Sequence, residues 1–279
     1  MNQIAFACIA PHGWLVSPLI SGPASPTTTK SVAALEELGR RMQEFQPETI
    51  VIITPHGLSA DGMIPLLDSP IVRGETGRIQ FMGGANHSFA LECTVDRELN
   101  QAIADNASAI NTPVIRINTG FDWIMLELDY GVLVPLWLMG AMFASQPQVV
   151  VASVQPSISR KHCVNLGQSI AHAASKLGRR VGIIASADLA HTLHQDGPWG
   201  FDPAAAECDE AVLDAVRSDK LEALLEFDPV WVDKAKSEAV EPLLTLYGAI
   251  KELEYQSEIL AYEAPTYFGL LSAAYTIGS

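Results

Sequence analysis

Apolar positions along the chain fall into two kinds of run. Short β-branched runs at 4–10 (IAFACIA), 49–54 (TIVIIT), 113–117 (PVIRI), 148–154 (QVVVASV) and 181–187 (VGIIASA) predict strands. Several are apolar on both faces, as strands covered by helices on each side are. Between and after them, 30–45, 93–105, 131–144, 160–177, 204–216, 219–226 and 239–254 predict helices. The alternation predicts an α/β fold: one domain over 1–279, with a central, mainly parallel or mixed sheet flanked by helices. Residues 17–30 read as a loop. The most apolar stretch, 131–144, carries Pro135 and is shorter than the roughly 20 residues that span a bilayer, so it reads as a buried helix.

Composition narrows the class. Of 279 residues 48% are hydrophobic and 18% charged, enough for a sizeable core, which excludes a disordered chain. Seventeen basic residues face 32 acidic ones, a formal charge of −15 that repels phosphate backbones and anionic bilayers. No nucleic-acid or membrane partner is therefore expected. Cys8, Cys93, Cys163 and Cys208 lie far apart without a CxxC pair. That spacing makes no zinc knuckle or disulfide framework and suits a reducing compartment. With no basic region opening the amino terminus, a soluble cytoplasmic protein is expected.

The candidate chemistry lies where strands end. The first two strands run directly into the same tripeptide, Pro11-His12-Gly13 and Pro55-His56-Gly57, and the fifth ends in Ser186-Ala187-Asp188-Leu189-Ala190-His191. Open α/β sheets gather ligands outside the carboxyl ends of their strands, so three strand ends offer three histidines to one crevice. Proline fixes φ and glycine frees the next residue, holding each intervening imidazole at a rigid bend suited to a metal ligand. One PHG is an ordinary turn; two at equivalent strand ends point to a site. A carboxylate would complete a two-histidine triad for iron, and either Glu238 or Glu241, before Pro242 at the start of the last helix, could supply it. Carboxylates there also suit the helix dipole alone. His191 reads as a general acid or base, with Asp188 available to cap it, and His194 shares its face if that stretch is helical. His162 and His172 read as solvated, and His87 falls in a loop able to form a lid. Trp14, Trp123 and Trp199 could stack on a ring, and Arg73 or Arg78 could meet an anionic substrate.

These motifs in this order, together with Leu128-Asp129-Tyr130-Gly131 leading into Val134-Pro135-Leu136, resemble the LigB-like catalytic chain of the class III extradiol ring-cleavage dioxygenases, from Ile4 to about Ile250. The resemblance implies Fe(II) held by His12, His56 and Glu238, with Zn(II) as the alternative ion and His191 as acid/base. It favours Glu238 over Glu241 because Glu238 stands four residues before the helix proline. It implies a small aromatic substrate of the catechol or 2-aminophenol type, cleaved with O2, with Tyr130 among the catalytic residues; His194 and Trp14, from their positions in the sequence, are expected beside the substrate. Many relatives carry histidine where Tyr130 stands; tyrosine donates a hydrogen bond but, with an ordinary pKa of about 10, is no near-neutral base. A zinc-dependent enzyme, or a Memo-like non-catalytic binding protein with cysteine at the position of Glu238, are the other readings of the scaffold. A homodimer is expected, with room for a second, different chain.

Overall fold

The computed structural model describes residues 3–13, 16, 28–75, 90–121, 124–140 and 146–278. Strands β1 (Ile4–Ala10), β2 (Thr49–Thr54), β3 (Ile64–Leu67), β4 (Ile71–Glu75), β5 (Ala90–Thr94), β6 (Val114–Ile117), β7 (Leu126–Glu127), β8 (Gln148–Ser153), β9 (Val181–Ser186), β10 (Tyr255–Glu263) and β11 (Leu270–Ile277) alternate with helices. The helices are α1 (Thr29–Phe45), α2 (Arg97–Ala109), α3 (Tyr130–Gly140), α4 (Arg160–Leu177), α5 (Ala204–Arg217), α6 (Pro229–Ala235) and α7 (Val240–Ile250).

Eight strands form one sheet in the order β10-β11-β1-β9-β2-β8-β3-β6, and β5-β4-β7 form a small second sheet. The middle of the large sheet is parallel: β1 pairs with β9, β9 with β2 and β2 with β8. The β10-β11 hairpin adds antiparallel strands at the β1 edge, and β8 meets β3 antiparallel. The sheet is therefore mixed around a parallel centre. Because β9 lies between β1 and β2, with Ala10 opposite Ser186 and Ile53 opposite Ala185, the two PHG turns leave the sheet on either side of the Ser186–Asp188 turn.

Alternate residues of the central strands feed two cores. Ile9, Ile53 and Ile183 pack on one face with Leu166 and Ile170 of α4 and Leu243 and Leu244 of α7. Phe6, Ile52 and Ile184 pack on the other with Leu35, Leu38 and Met42 of α1 and Val132 of α3. At about 1.5–3 kcal/mol for each large apolar side chain, this two-sided burial dominates the stability of the sheet. Helices α4 and α7 cross closely enough that a Cβ on Gly167 would fall 2.0 Å from the Thr245 carbonyl oxygen, and one on Gly248 2.0 Å from that of Val164. This contact seats α7 so that its first turn reaches the carboxyl ends of β1, β9 and β2. Helix α6 starts at Asp228, whose carboxylate accepts the Val230 and Trp231 N–H groups, and ends at Lys236 in a left-handed conformation, φ 51°.

The sequence expectations fail in several places. Residues 93–105 are not one helix: 90–94 alternate in exposure and pair with β4, and α2 starts only after Asp96, whose carboxylate accepts the Leu99 N–H. The helix expected to 254 stops at Ile250 and gives way to β10. Residues 221–226 are a 3-10 helix, and the stretch around His194 is not helical. The hairpin beyond β1 is absent from the expected strands, although Tyr255–Glu263 largely alternates in exposure. Most of the loop expected at 17–30, the end of the helix expected over 131–144, Trp14, Arg78, His87 and Trp123 lie outside the described residues.

Candidate functional site

At the ends of β1 and β2, and just before α7, three side chains converge. His12 Nε2 stands 3.3 Å from Glu238 Oε2, His56 Nε2 stands 3.2 Å from the same oxygen, and the two Nε2 atoms are 3.1 Å apart. His12 is fully buried, while His56 and Glu238 are half-buried.

The surroundings fix which atoms face inward. The Ser186 hydroxyl donates to the Gly131 carbonyl, so its oxygen accepts from His12 Nδ1–H at 2.9 Å and the His12 Nε2 lone pair points at the cluster. The Asp188 carboxylate accepts the backbone N–H groups of His12 and Gly13 at 3.0 and 3.1 Å, so it clamps the turn and does not cap His191. Gly13 is required by close approach, since a Cβ would lie 2.3 Å from the Phe268 ring and 2.7 Å from Asp188. At the second turn Gly57 has φ 90°, and a Cβ there would meet the Asp129 carboxylate at 2.8 Å. Asp129 accepts the Gly131 N–H, so the Leu128–Gly131 motif is packed directly against the second PHG turn.

Electrostatics follow from burial and these contacts. Burial alone would lower the His12 pKa, but the nearby Asp188 and Glu238 carboxylates outweigh it and the net shift is upward. Burial raises Glu238, yet the adjacent His12 and His56 imidazoles bring it well below the usual carboxylate range. Burial pushes the Tyr130 phenol far up, so it stays protonated and available as a donor, with its oxygen 2.9 Å from His56 Nε2.

Two imidazole nitrogens and a carboxylate oxygen packed this closely form a poor hydrogen-bond network, because protonating both nitrogens sets donor against donor. As lone pairs they are a fitting set for a cation. Three donors each about 2.1 Å from one ion stand about 3.0 Å apart at right angles and about 3.4 Å apart in a tetrahedron, so edges of 3.1–3.3 Å suit either coordination. Among the described residues, His12, His56 and Glu238 are the group of this kind able to hold a metal.

His191 stands beside the triangle, its Nε2 4.0 Å from Glu238 Oε2. Its Nδ1–H donates to the carbonyls of Leu189 and Lys236 at 2.9 and 3.0 Å, which fixes the tautomer and leaves Nε2 as the basic atom facing the centre. The left-handed turn at Lys236 aims that carbonyl. The ring stacks on Phe268 at 5.5 Å and meets the edge of Trp199. Behind the loop, Asp209 accepts the Ala190 N–H and the Tyr262 O–H, and burial lifts its pKa to about 6. A cavity of about 540 Å³ opens beside His191 and Glu238, between the start of α4, α6 and the first turn of α7.

The structure thus brings together His12, His56, Glu238, His191 and Tyr130. Glu241, the other candidate carboxylate, lines the cavity one turn further along and is not in the triangle. His194 is not brought in: it is largely exposed and pairs with Asp196, because its chain segment is irregular rather than helical. Trp199 lines the cavity, whereas Arg73 lies on the small sheet in a separate cleft. Ser186, Lys236 and Asp209 act on the site without having been singled out. Ser186 alone had a signal, the Ser-x-Asp spacing at the end of a strand.

The chain is 24% identical over 263 residues to Protein CA_C1420 of Clostridium acetobutylicum, covering 91% of this chain and 54% of the relative, so it spans about half the length of that curated relative. Its fold matches the crystal structure of the uncharacterized protein JW3007 from Escherichia coli K12, with a TM-score of 0.56 and 16% identity over 97% of this chain and 99% of the other. The model of the catalytic LigB subunit of aromatic ring-opening dioxygenase matches residues 6–271, and the chain belongs to that family.

Proposed function

We propose that the chain is a non-haem Fe(II)-dependent extradiol dioxygenase that opens the ring of a catechol- or 2-aminophenol-type substrate with O2. The observation that carries this reading is the His12–His56–Glu238 triangle with the basic nitrogen of His191 at its side. Two nitrogens and one oxygen on one side of an ion leave its other positions open to small molecules, the arrangement that suits ferrous oxygenases. When bound, ferrous iron supplies Lewis acidity toward adjacent ring hydroxyl or amino groups and an electron path between ring and dioxygen.

The rest is done by the chain's own groups. His191 Nε2 takes a proton from a ring hydroxyl as substrate binds and returns it to the departing oxygen, the carbonyls of Leu189 and Lys236 holding its other nitrogen throughout. Phe268 covers one face of that imidazole and limits access of water. Tyr130, kept protonated by burial, holds an O–H donor at the mouth of the triangle. Substrate reaches the centre from the cavity beside Glu238, where Trp199 offers an aromatic face.

The test is an anaerobic Fe(II) titration by calorimetry of the wild type beside His12→Ala, followed by oxygen uptake with catechol and 2-aminophenol. One equivalent bound by the wild type and lost in the variant, with oxygen consumed by the iron-loaded protein, is the expected result. Iron binding without oxygen uptake, together with hydrolytic activity of the Zn(II)-loaded protein, would transfer the site to the zinc reading. Failure of both proteins to bind metal would leave the turns as turns.

A further inference from the structure

One peptide group holds His191, and a buried carboxylate holds the other side of that group. The Leu189–Ala190 peptide accepts His191 Nδ1–H on its C=O at 2.9 Å and donates its N–H to Asp209 Oδ1 at 2.8 Å. A peptide unit is planar, so fixing the direction of its N–H fixes the direction of its C=O. Asp209, on α5, thereby sets the aim of an oxygen that decides which nitrogen of His191 carries the proton.

Packing explains how the carboxylate reaches the loop. Ala204, Ala205 and Cys208 of α5 meet Ala190 and Ala235 in a small cluster, and side chains of this size let the helix approach closely. Asp209 is 2% exposed, and among the described residues no lysine or arginine pairs with it. Its second oxygen accepts the Tyr262 O–H of β10 at 2.6 Å. Both groups it holds are donors, and a carboxylate satisfies them with one oxygen each. On the far side of the loop the Leu189 N–H donates to the Gly269 carbonyl and the Gly269 N–H to the Ala190 carbonyl, at 2.8 and 3.1 Å. Close approach requires glycine there, since a Cβ on Gly269 would lie 2.3 Å from Asp209 Oδ2. Burial raises the Asp209 pKa, while the Tyr262 and Ala190 hydrogen bonds and the charge of His191 oppose that rise, so the carboxylate and the imidazole sense each other.

We infer that Asp209 is a positioning residue for the acid/base, acting on His191 through the Leu189–Ala190 peptide: carboxylate, peptide and imidazole form one hydrogen-bonded chain that keeps the proton on Nδ1 and the lone pair of Nε2 toward the centre. The acid/base role rests on the proposed ring-opening function, whereas the tautomer is a property of the fold. Each link polarises the next, so weakening the acceptor at one end weakens the bond at the other.

The experiment reads ring tautomers by two-bond 1H–15N NMR at pH 8, on protein carrying 15N-labelled histidine and alanine with one equivalent of Zn(II), a diamagnetic ion. The His191 signals are those lost in His191→Gln. Wild type, Asp209→Asn and Asp209→Leu are compared, each checked for folding by its thermal transition. A single Nδ1–H tautomer is expected in the wild type and in Asp209→Asn, which keeps an acceptor for the Ala190 N–H, and a mixture of tautomers in Asp209→Leu. Oxygen uptake by the iron-loaded proteins should show kcat about 10–100-fold lower in Asp209→Leu, with KM within about threefold, and Asp209→Asn should recover most of the loss. If Asp209→Leu does not fold, Asp209→Asn decides: its weaker, neutral acceptor should move the Ala190 amide proton and the His191 Nδ1 proton upfield together. Movement of the first without the second overturns the inference. So does a mixture of tautomers in the wild type, or a single unchanged tautomer in folded Asp209→Leu. A tautomer that responds as expected, with no oxygen uptake by any protein, upholds the chain and removes the dioxygenase reading. Ring opening with a tautomer indifferent to Asp209→Leu does the reverse.

Discussion

The two ends of the central sheet handle their polar groups in opposite ways. At the amino ends of β2, β8 and β9, charged groups pair across the surface. Arg179 meets Glu98 at 2.7 Å and Asp96 at 3.5 Å, and the Glu48 carboxylate accepts the Arg180 N–H while Arg180 Nε donates to the Gln46 carbonyl. Each contact there satisfies the groups that make it. At the carboxyl ends of β1, β9 and β2 the polar groups are buried and aimed at a common point, with a second layer, Ser186, Asp188 and the Lys236 carbonyl, holding the first in place. Burial without mutual satisfaction costs free energy, and a fold maintains it where a ligand supplies what is missing. The carboxyl end is arranged for binding, the amino end for stability.

Substitutions at the two ends should therefore differ in kind as well as size. The largest effect is expected from His191→Ala, which should keep one equivalent of Fe(II) by calorimetry but lower the oxygen-uptake rate by about 10²–10⁴-fold. Wild-type turnover in that variant would show that the imidazole beside the triangle is not the acid/base.

A smaller effect, on stability, is expected from Asp209→Asn behind the His191 loop. Burial raises the Asp209 pKa from 3.8 to about 6, so the folded state binds the proton more tightly than the unfolded state. Stability from this group is present below about pH 4 and is lost as pH rises through about 6, by on the order of 2 kcal/mol. Asparagine is neutral and can still accept the Ala190 N–H. The difference in unfolding free energy between the two proteins, followed by urea titration from pH 4 to 8, should shift toward the variant as pH rises. A difference independent of pH would mean that Asp209 does not titrate in this range.

The smallest effect belongs to the other end. Arg179→Ala removes a surface pairing and should cost no more than about 1 kcal/mol in unfolding free energy, with oxygen uptake unchanged. A loss of turnover there would show the two ends to be coupled and would undo the contrast.

Much of the carboxyl end was legible in the sequence because its signals are local. A β-branched run followed by Pro-His-Gly states both where a strand stops and which side chain is held there, and Ser186–His191 follows the same logic. Glu238 was less legible. Periodicity left it level with Glu241, and the resemblance, rather than the spacing, favoured it; in the fold it is the close crossing of α4 and α7 at Gly167 and Gly248 that brings Glu238 to the histidines. His194 shows the opposite failure, since its expected nearness to His191 assumed a helix and that stretch adopts none. The β10-β11 hairpin was missed because its register is set by pairing with β1, a contact between the two ends of the chain.

What the sequence determined by itself was therefore the local chemistry: strands, rigid turns, and the histidines they hold. What only the tertiary structure decided was which distant groups share one point. Placing β9 between β1 and β2 sets Ser186 and Asp188 against His12, and the left-handed turn at Lys236 directs a carbonyl to His191 and leads the chain into Glu238. The physical reason is range. Turn geometry and side-chain periodicity are fixed within a few residues, whereas the meeting of residues 12, 56, 191 and 238 depends on how two apolar cores pack on opposite faces of a single sheet.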